Sequence, residues 1–434
     1  MKTVFLFVDK PVFLGDLLNT GYIKCLADKY KVVLFLNRSG VWAKNLNFFQ
    51  SPNITYIDWK IENAKLLGMM KFVRFSCIRE FDYLKTTQYY RKRRDQDSEN
   101  TFLMVISKPF SKLLTNKFFY KLELLLIKKS RLFISYVEKY KPSLVIVATP
   151  GLNTMEAEAV LLAKKYGIKS VSMDCNWDGL ETRVTRVRPT DYFIAWHEPM
   201  KKEAINIHHF DPTKVFVSGP IRFDYHFSND NTIETRENFL RSKKLDPANK
   251  IILYSTQKGH LFEESFLNKL ISLRDNGSVP YFNIFIRVHP VAKPNRFKEF
   301  SQLDNVYVEK PPEVLTSYDF VNLMATLRCC DLNINYSSTL SLEAILLDKP
   351  VINYIEPNMP IYDYDHYRPL VEAKAVKLVS SNPADLAKAI NEYLNNPSLD
   401  RENRKKIADK YFPFRDGLCS KRSADFLEDI INKN

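Results

Sequence analysis

Short apolar runs alternate with stretches of helical periodicity along most of this chain. Thr3 to Val8, Val32 to Leu36 and Ile54 to Asp58 read as buried strands, with a helical stretch ending near Lys29 between the first two. The same alternation resumes at Leu144 to Ala148, Lys169 to Met173, Tyr192 to Trp196 and Lys214 to Ser218. It returns at Lys250 to Ser255, Tyr281 to Val288, Asn305 to Glu309, Asp331 to Asn335, Val351 to Ile355 and Val376 to Val379. Strands separated by helices predict parallel sheets covered on both faces, an α/β class. The polar stretch from Phe223 to Pro247 separates two such series and reads as a linker.

One segment breaks the alternation. Ala64 to Tyr140 is helical in pattern, basic and aromatic, as in Tyr89-Tyr90-Arg91-Lys92-Arg93-Arg94 and Lys117-Phe118-Phe119-Tyr120-Lys121. Between Lys60 and Arg131 there are 17 Lys and Arg against 7 Asp and Glu, a surplus of 10. Interleaved basic and aromatic side chains suit the headgroup layer of an anionic membrane. The same composition suits single-stranded nucleic acid, though less well, and also a solvated basic face over a helical core.

At 434 residues the chain is long enough for two domains of about 200 residues each. Its 45% hydrophobic content supports sizeable cores and excludes extended disorder. The net charge of +14 makes an anionic partner plausible. The six cysteines show no zinc spacing and suit a reducing, cytoplasmic compartment. The apolar run Val4 to Val8, closed by Asp9, reads as a first strand rather than a signal peptide, and no run is long enough to span a membrane. Glycine is scarce, 11 in all, so tight turns must use Ser, Asn and Asp.

Candidate chemistry gathers at predicted strand ends. Tyr336-Ser337-Ser338-Thr339 forms a turn between a strand and the helix Leu340 to Leu347, which carries Glu343. Helix-opening amides are a natural diphosphate seat, and a carboxylate one to two turns on is placed to meet ribose hydroxyls. The alternative is an ordinary capped helix with a solvated Glu. Thr256 and Lys258 lie in the exit loop after Lys250 to Ser255, and Arg287 and His289 share one face at the end of the next strand. Each is a candidate phosphate contact, with a structural role as the alternative. Asp363 and Asp365 form a DxD, read as a loop rather than a metal site.

In the first half, Asp174 to Leu180 follows a strand. Asp178 is a candidate general base and Trp177 a candidate stacking face for a sugar ring; an Asp cap and a core Trp are the alternative reading. Gly15 and Asp16 fall in a predicted loop, Asp9 to Asp16, at the end of the first strand, with a helix following it. No GxGxxG follows, so a dinucleotide site is not supported.

The stretch Cys330 to Tyr354, together with Arg287-Val288-His289-Pro290, resembles the nucleotide-binding half of GT-B glycosyltransferases. It is similar in particular to bacterial surface-polysaccharide transferases, CDP-glycerol glycerophosphotransferases and UDP-N-acetylglucosamine 2-epimerases. Glycerophosphotransferases usually carry Asp before Tyr-Ser-Ser, where this chain has Asn335. The Trp177-Asp178 pair resembles one group of polysaccharide transferases that usually has Asn where Gly179 stands.

The resemblance implies a GT-B fold of two Rossmann-like domains. Residues 1–225 would form an acceptor domain with a basic insertion at about 60–140, and 226–248 a linker. Residues 249–415 would form the nucleotide domain, and 416–434 a helix crossing back to the first domain. The implied activity is metal-independent, inverting transfer of a sugar from a nucleotide-sugar co-substrate to a surface-glycan or lipid-linked acceptor, with no further cofactor. Ser337, Ser338, Thr339, Thr256, Lys258, Arg287 and His289 would hold the diphosphate, Glu343 the ribose, and Asp178 would be the base. Trp177, Gly15 and Asp16 would face the acceptor. Three other readings stay open: a CDP-polyol phosphotransferase, a 2-epimerase, and a basic membrane- or nucleic-acid-binding protein with a degenerate site.

Overall fold

A computed structural model describes residues 1–37, 49–95, 108–227, 234–257, 262–289, 292, 295–310, 317–355, 361–380 and 382–432. Lys258 and Pro290 lie outside them. The chain divides into two compact units, one of Met1–Phe227 with Phe414–Asn434, the other of Ser228–Pro413.

The first unit is built on seven parallel strands: β1 (Thr3–Val8), β2 (Lys31–Leu36), β3 (Ile54–Asp58), β4 (Pro142–Val147), β5 (Ser170–Met173), β6 (Tyr192–Ala195) and β7 (Val215–Val217). Their order is β3-β2-β1-β4-β5-β6-β7. Alternate side chains of a strand face opposite ways, and β1 shows the consequence. Val4, Leu6 and Val8 enter one core. Phe5 and Phe7 enter the other, where Phe7 stacks on Phe35 at 4.3 Å and meets Trp59 edge-on at 5.4 Å. The order reverses between β1 and β4, which makes their carboxyl ends the place where ligands bind in sheets of this kind.

Helices α1 (Pro11–Asn19) and α2 (Tyr22–Lys29) follow β1. The expected loop from Asp9 to Asp16 is therefore much shorter. Pro11 supplies a preset φ at the first helical position, after an extended Lys10. Gly15 and Asp16 lie within α1 and are buried, so they do not form an open loop. Asp16 faces Arg222 at 3.6 Å.

The basic segment folds as α3 (Ala64–Cys77), α4 (Lys85–Asp95), α5 (Asn116–Leu126) and α6 (Arg131–Tyr140). It has an interior of its own, in which Met70, Cys77, Ile78, Phe81, Leu84 and Phe119 pack with Val184. Arg74 is wholly buried; it donates to the carbonyls of Thr185 at 2.8 Å and Val187 at 3.0 Å, and to Glu123 at 3.1 Å. Glu123 also takes Arg188 at 2.5 Å. Arg91 turns inward too and caps the carbonyl of Phe75 at 2.7 Å. Two arginines of the basic run are thus structural, while Lys65, Lys71, Lys85, Lys117 and Lys121 stay exposed.

Helices α7 (Thr154–Lys165), α8 (Gly179–Thr182) and α9 (Glu198–Asn206) complete the crossovers of this unit. His197 caps α9, its Nδ1 accepting the Met200 amide at 3.0 Å, so that histidine is structural.

The second unit has six parallel strands: β8 (Lys250–Ser255), β9 (Phe282–Arg287), β10 (Val306–Glu309), β11 (Leu332–Asn335), β12 (Val351–Ile355) and β13 (Lys377–Ser380), in the order β10-β9-β8-β11-β12-β13. Its helices are α10 (Arg236–Ser242), α11 (Phe262–Asp275), α12 (Ser317–Cys329), α13 (Leu340–Leu346), α14 (Arg368–Glu372), α15 (Pro383–Asn395) and α16 (Arg401–Tyr411). The polar stretch read as a linker contributes α10, which Arg236 ties to Asp331 at 2.9 Å.

The last helix, α17 (Cys419–Asn432), belongs to the first unit. Asp224 caps it by accepting the amides of Cys419 at 3.0 Å and Ser420 at 2.7 Å. Gly219 lies beneath at φ +90, where a Cβ would come within 2.5 Å of the Cys419 sulfur.

The Arg74–Glu123–Arg188 cluster carries a prediction. Removing one member of a buried ion pair typically costs about 3–5 kcal/mol, because the remaining charge is left uncompensated. Glu123→Gln is expected to destabilise the first unit by about that amount in urea denaturation. A change within about 0.5 kcal/mol would mean that the cluster does not hold the basic helices in place.

Candidate functional site

In the second unit the strand order reverses around β8, with β9 on one side and β11 on the other. The carboxyl ends of these three strands carry Thr256, His289 and the Tyr336–Thr339 turn. Three of the expected segments are thus neighbours at a switch point, the usual ligand position in an open parallel sheet.

The turn is held from below by a layer of buried polar side chains. Ser255, Asn335 and Asn353 are in register across β8, β11 and β12. The Asn335 side-chain oxygen accepts from the Ser338 amide at 2.8 Å, the Ser341 hydroxyl at 3.1 Å and the Asn353 amide group at 2.9 Å. Asn335 donates in turn to Asn333, which reaches the Ser255 hydroxyl at 3.1 Å. The Tyr367 hydroxyl closes the layer against Asn353 at 2.7 Å. A fully satisfied buried network of this kind is rigid.

Ser337, on top, adopts the left-handed conformation at φ 61, an uncommon state for a residue other than Gly, Asn or Asp. The amides of Ser337 and Thr339 donate to no group among the described residues, and both residues are partly exposed. Two free amides and two hydroxyls therefore open at the switch point. Helix α13 has only seven residues, so the seat rests on the turn itself more than on a long helix dipole. The side chain of Gln257 reaches the Tyr336 carbonyl at 3.2 Å and couples the β8 exit to the turn. Thr256 is buried; its hydroxyl accepts the His289 amide at 2.9 Å, so it positions the β9 exit. Glu263 accepts the Gln257 amide at 2.5 Å and pairs with Arg296 at 2.9 Å, and burial pushes its carboxyl up to about 7.

Two expected contacts are differently placed. Arg287 pairs with Glu309, its in-register neighbour on β10, so its charge is already matched. Glu343 is wholly buried rather than presented to a ribose, because the first turns of α13 pack down on the sheet. Asp365 pairs with Arg368 at 3.3 Å.

In the first unit, Asp178 is half-buried and accepts the Thr182 hydroxyl at 3.1 Å. It lines a cavity of about 310 Å³ walled by Phe75 of α3, Thr87 and Tyr90 of α4, and Arg183 and Arg186. Trp177 is 4% exposed, so it is a core residue and not an open stacking face. Gly179 has a steric reason: a Cβ there would come within 2.1 Å of the Asp174 carboxylate. Asp174 is wholly buried, and burial raises its carboxyl well above the usual range.

The polar layer was missed in the sequence. Its signal is present: Leu332-Asn333-Ile334-Asn335 and Val351-Ile352-Asn353 place asparagines, poor strand formers, in central buried strands.

Solved structures share this architecture. S. aureus MnaA in a co-structure with UDP is 13% identical, covers 100% of this chain and 97% of its own, and superposes with a TM-score of 0.59. UDP-GlcNAc 2-epimerase from Neisseria meningitidis, bound to UDP-GlcNAc, is 16% identical with full coverage of both chains and a TM-score of 0.58. The wall teichoic acid polymerase TagF, soaked with CDPG, is 12% identical, covers 99% of this chain and 89% of its own, and gives a TM-score of 0.52. At such identities the likeness shows the fold, and the fold is that of the GT-B class. No curated protein sequence matches the chain. Residues 73–429 match the family model described as CDP-Glycerol:Poly(glycerophosphate) glycerophosphotransferase, and the chain belongs to that family. It is therefore a transferase by family.

The Asn335 layer gives the second prediction. An aspartate at 335 can still accept from Ser338, Ser341 and Asn353, with Asn333 turning its amide, so Asn335→Asp is expected to fold and to bind a nucleoside diphosphate. Asn335→Leu strands three buried donors, at about 1–3 kcal/mol each, and should lose both stability and nucleotide affinity. Thermal denaturation and calorimetry with CDP check this; equal behaviour of the two variants would contradict it.

Proposed function

We propose that this protein transfers a polyol phosphate from a cytidine-diphosphate-linked donor to a hydroxyl of a surface polymer or its lipid-linked precursor. The observation that carries the proposal is the turn Ser337–Thr339, with open amides at a switch point inside the family-matched region. In this reaction the acceptor hydroxyl attacks the phosphorus that bears the polyol. The bond from that phosphorus to CMP breaks, and CMP leaves with the electron pair. The turn amides and the hydroxyls of Ser337, Ser338 and Thr339 hold the diphosphate. They stabilise the charge that shifts onto CMP, as preorganised donors do, without a metal. Thr256 orients the His289 segment beside them. Asp178, carried by the first unit, is the candidate general base.

Sugar transfer is the second reading, supported by the resemblance to polysaccharide transferases, with a nucleoside diphosphate as leaving group. The burial of Glu343 bears equally on both readings, since either donor carries a ribose. The two readings differ by one phosphate on the product. A donor panel is expected to release CMP from CDP-glycerol or CDP-ribitol. Release of UDP, GDP or another nucleoside diphosphate from a nucleotide-sugar would replace the first reading with the second. Asp178→Asn should lower turnover by about 10²–10⁴-fold with donor affinity unchanged, and undiminished turnover would remove Asp178 from the chemistry.

The basic helices are proposed to dock on the anionic inner leaflet, beside a lipid-linked acceptor. No helix among the described residues is long and apolar enough to cross a membrane. Met69, Tyr83, Phe110, Leu113, Phe118 and Leu125 are exposed among the exposed lysines. On α5, Phe118, Lys121 and Leu125 follow helical spacing along one face. Flotation with phosphatidylglycerol vesicles should show binding at low salt that weakens as salt rises and in Phe118→Ser/Leu125→Ser. Absence of binding at low salt would dispose of the docking.

A further inference from the structure

The cavity beside Asp178 has a composition that the donor chemistry does not use. Its volume of about 310 Å³ is at the lower end for a small-molecule site. One wall is the segment after Asp178, with Arg183 and Arg186; the other is the basic insertion, with Phe75, Thr87 and Tyr90. The cavity's charged lining residues are Asp178, Arg183 and Arg186.

The arginines of this region divide sharply. Arg74 and Arg188 are committed to Glu123 and to backbone carbonyls. Arg183 has a partly exposed side chain that makes no hydrogen bond or ion pair among the described residues. A second, independent sign lies on α4. The Thr87 hydroxyl is buried, at 4% exposure for the residue, lines the cavity and has no partner among the described residues. A buried hydroxyl left without a partner in the free protein is a costly arrangement unless a ligand completes it.

We propose that this cavity is a subsite for the phosphorylated end of a polyhydroxy acceptor. Arg183 and Arg186 hold the phosphate, Thr87 donates to it or to an adjacent hydroxyl, and the terminal hydroxyl is presented to Asp178. Guanidinium groups are the preferred ligands for a phosphate that must be oriented as well as attracted. The subsite gives the basic insertion a direct role, since α3 and α4 supply three of its nine lining residues. The inference rests on the reading of the first unit as the acceptor side.

The test uses the full chain and three probes, glycerol 3-phosphate, inorganic phosphate and glycerol, with binding read by saturation-transfer NMR and CDP binding measured on the same samples. Wild type is expected to bind glycerol 3-phosphate saturably, inorganic phosphate more weakly and glycerol not at all. Arg183→Gln should weaken glycerol 3-phosphate at least tenfold and Thr87→Val several-fold, with Arg183→Lys intermediate. All three variants should bind CDP as wild type does, which also shows that they fold. A wild type that binds CDP but not glycerol 3-phosphate overturns the subsite and leaves the proposed function standing. Unchanged glycerol 3-phosphate binding in Arg183→Gln overturns it as well. A wild type that binds neither ligand overturns both.

Discussion

One side-chain oxygen, that of Asn335, decides how the nucleotide side of this protein is built. It sits at the end of a central strand, buried, and gathers donors from the turn above, the helix beyond it and the neighbouring strand. The turn has no glycine. It reaches a left-handed conformation at Ser337 because the Ser338 amide is tied down just after it. The cost of that backbone state is about 1 kcal/mol or more, and it persists because the buried layer fixes it on several sides. The result is a pair of amides facing outward at the switch point of a parallel sheet.

The first unit solves a different problem by similar means. Its basic insertion carries far more positive charge than negative, yet it folds onto the sheet because Glu123 is buried between Arg74 and Arg188. The remaining lysines stay in solvent, and the insertion brings Thr87 and Tyr90 to the cavity that holds Asp178. Fold stability and site construction thus draw on the same insertion through different residues. The C-terminal helix is held to this unit through Asp224, and the lack of a side chain at Gly219 gives it room.

Much of the architecture was legible in the chain because parallel strands buried on both faces leave continuous apolar runs, and because the Tyr-Ser-Ser-Thr corner interrupts one of them. Positions whose role depends on distant partners were not. Arg287 looks like a phosphate ligand until Glu309 is found beside it, 22 residues on and in register. Trp177 looks like a sugar platform until tertiary packing covers it. Glu343 has the right spacing along its helix, but its direction is set by how the helix lies on the sheet. The start of α1 is a local error: Pro11 opens the helix, whereas the reading placed a loop there. The asparagine layer was visible as polar residues in buried strands, a pattern that marks a site more clearly than any single charged residue nearby.

Hydrogen–deuterium exchange with and without CDP reads the turn amides themselves. If the turn holds the diphosphate, exchange slows in peptides covering 336–343, with smaller changes at 256–257 and 289, and little change in the strands of the first unit. Unaltered exchange at 336–343 under saturating nucleotide, with protection appearing elsewhere, would contradict it.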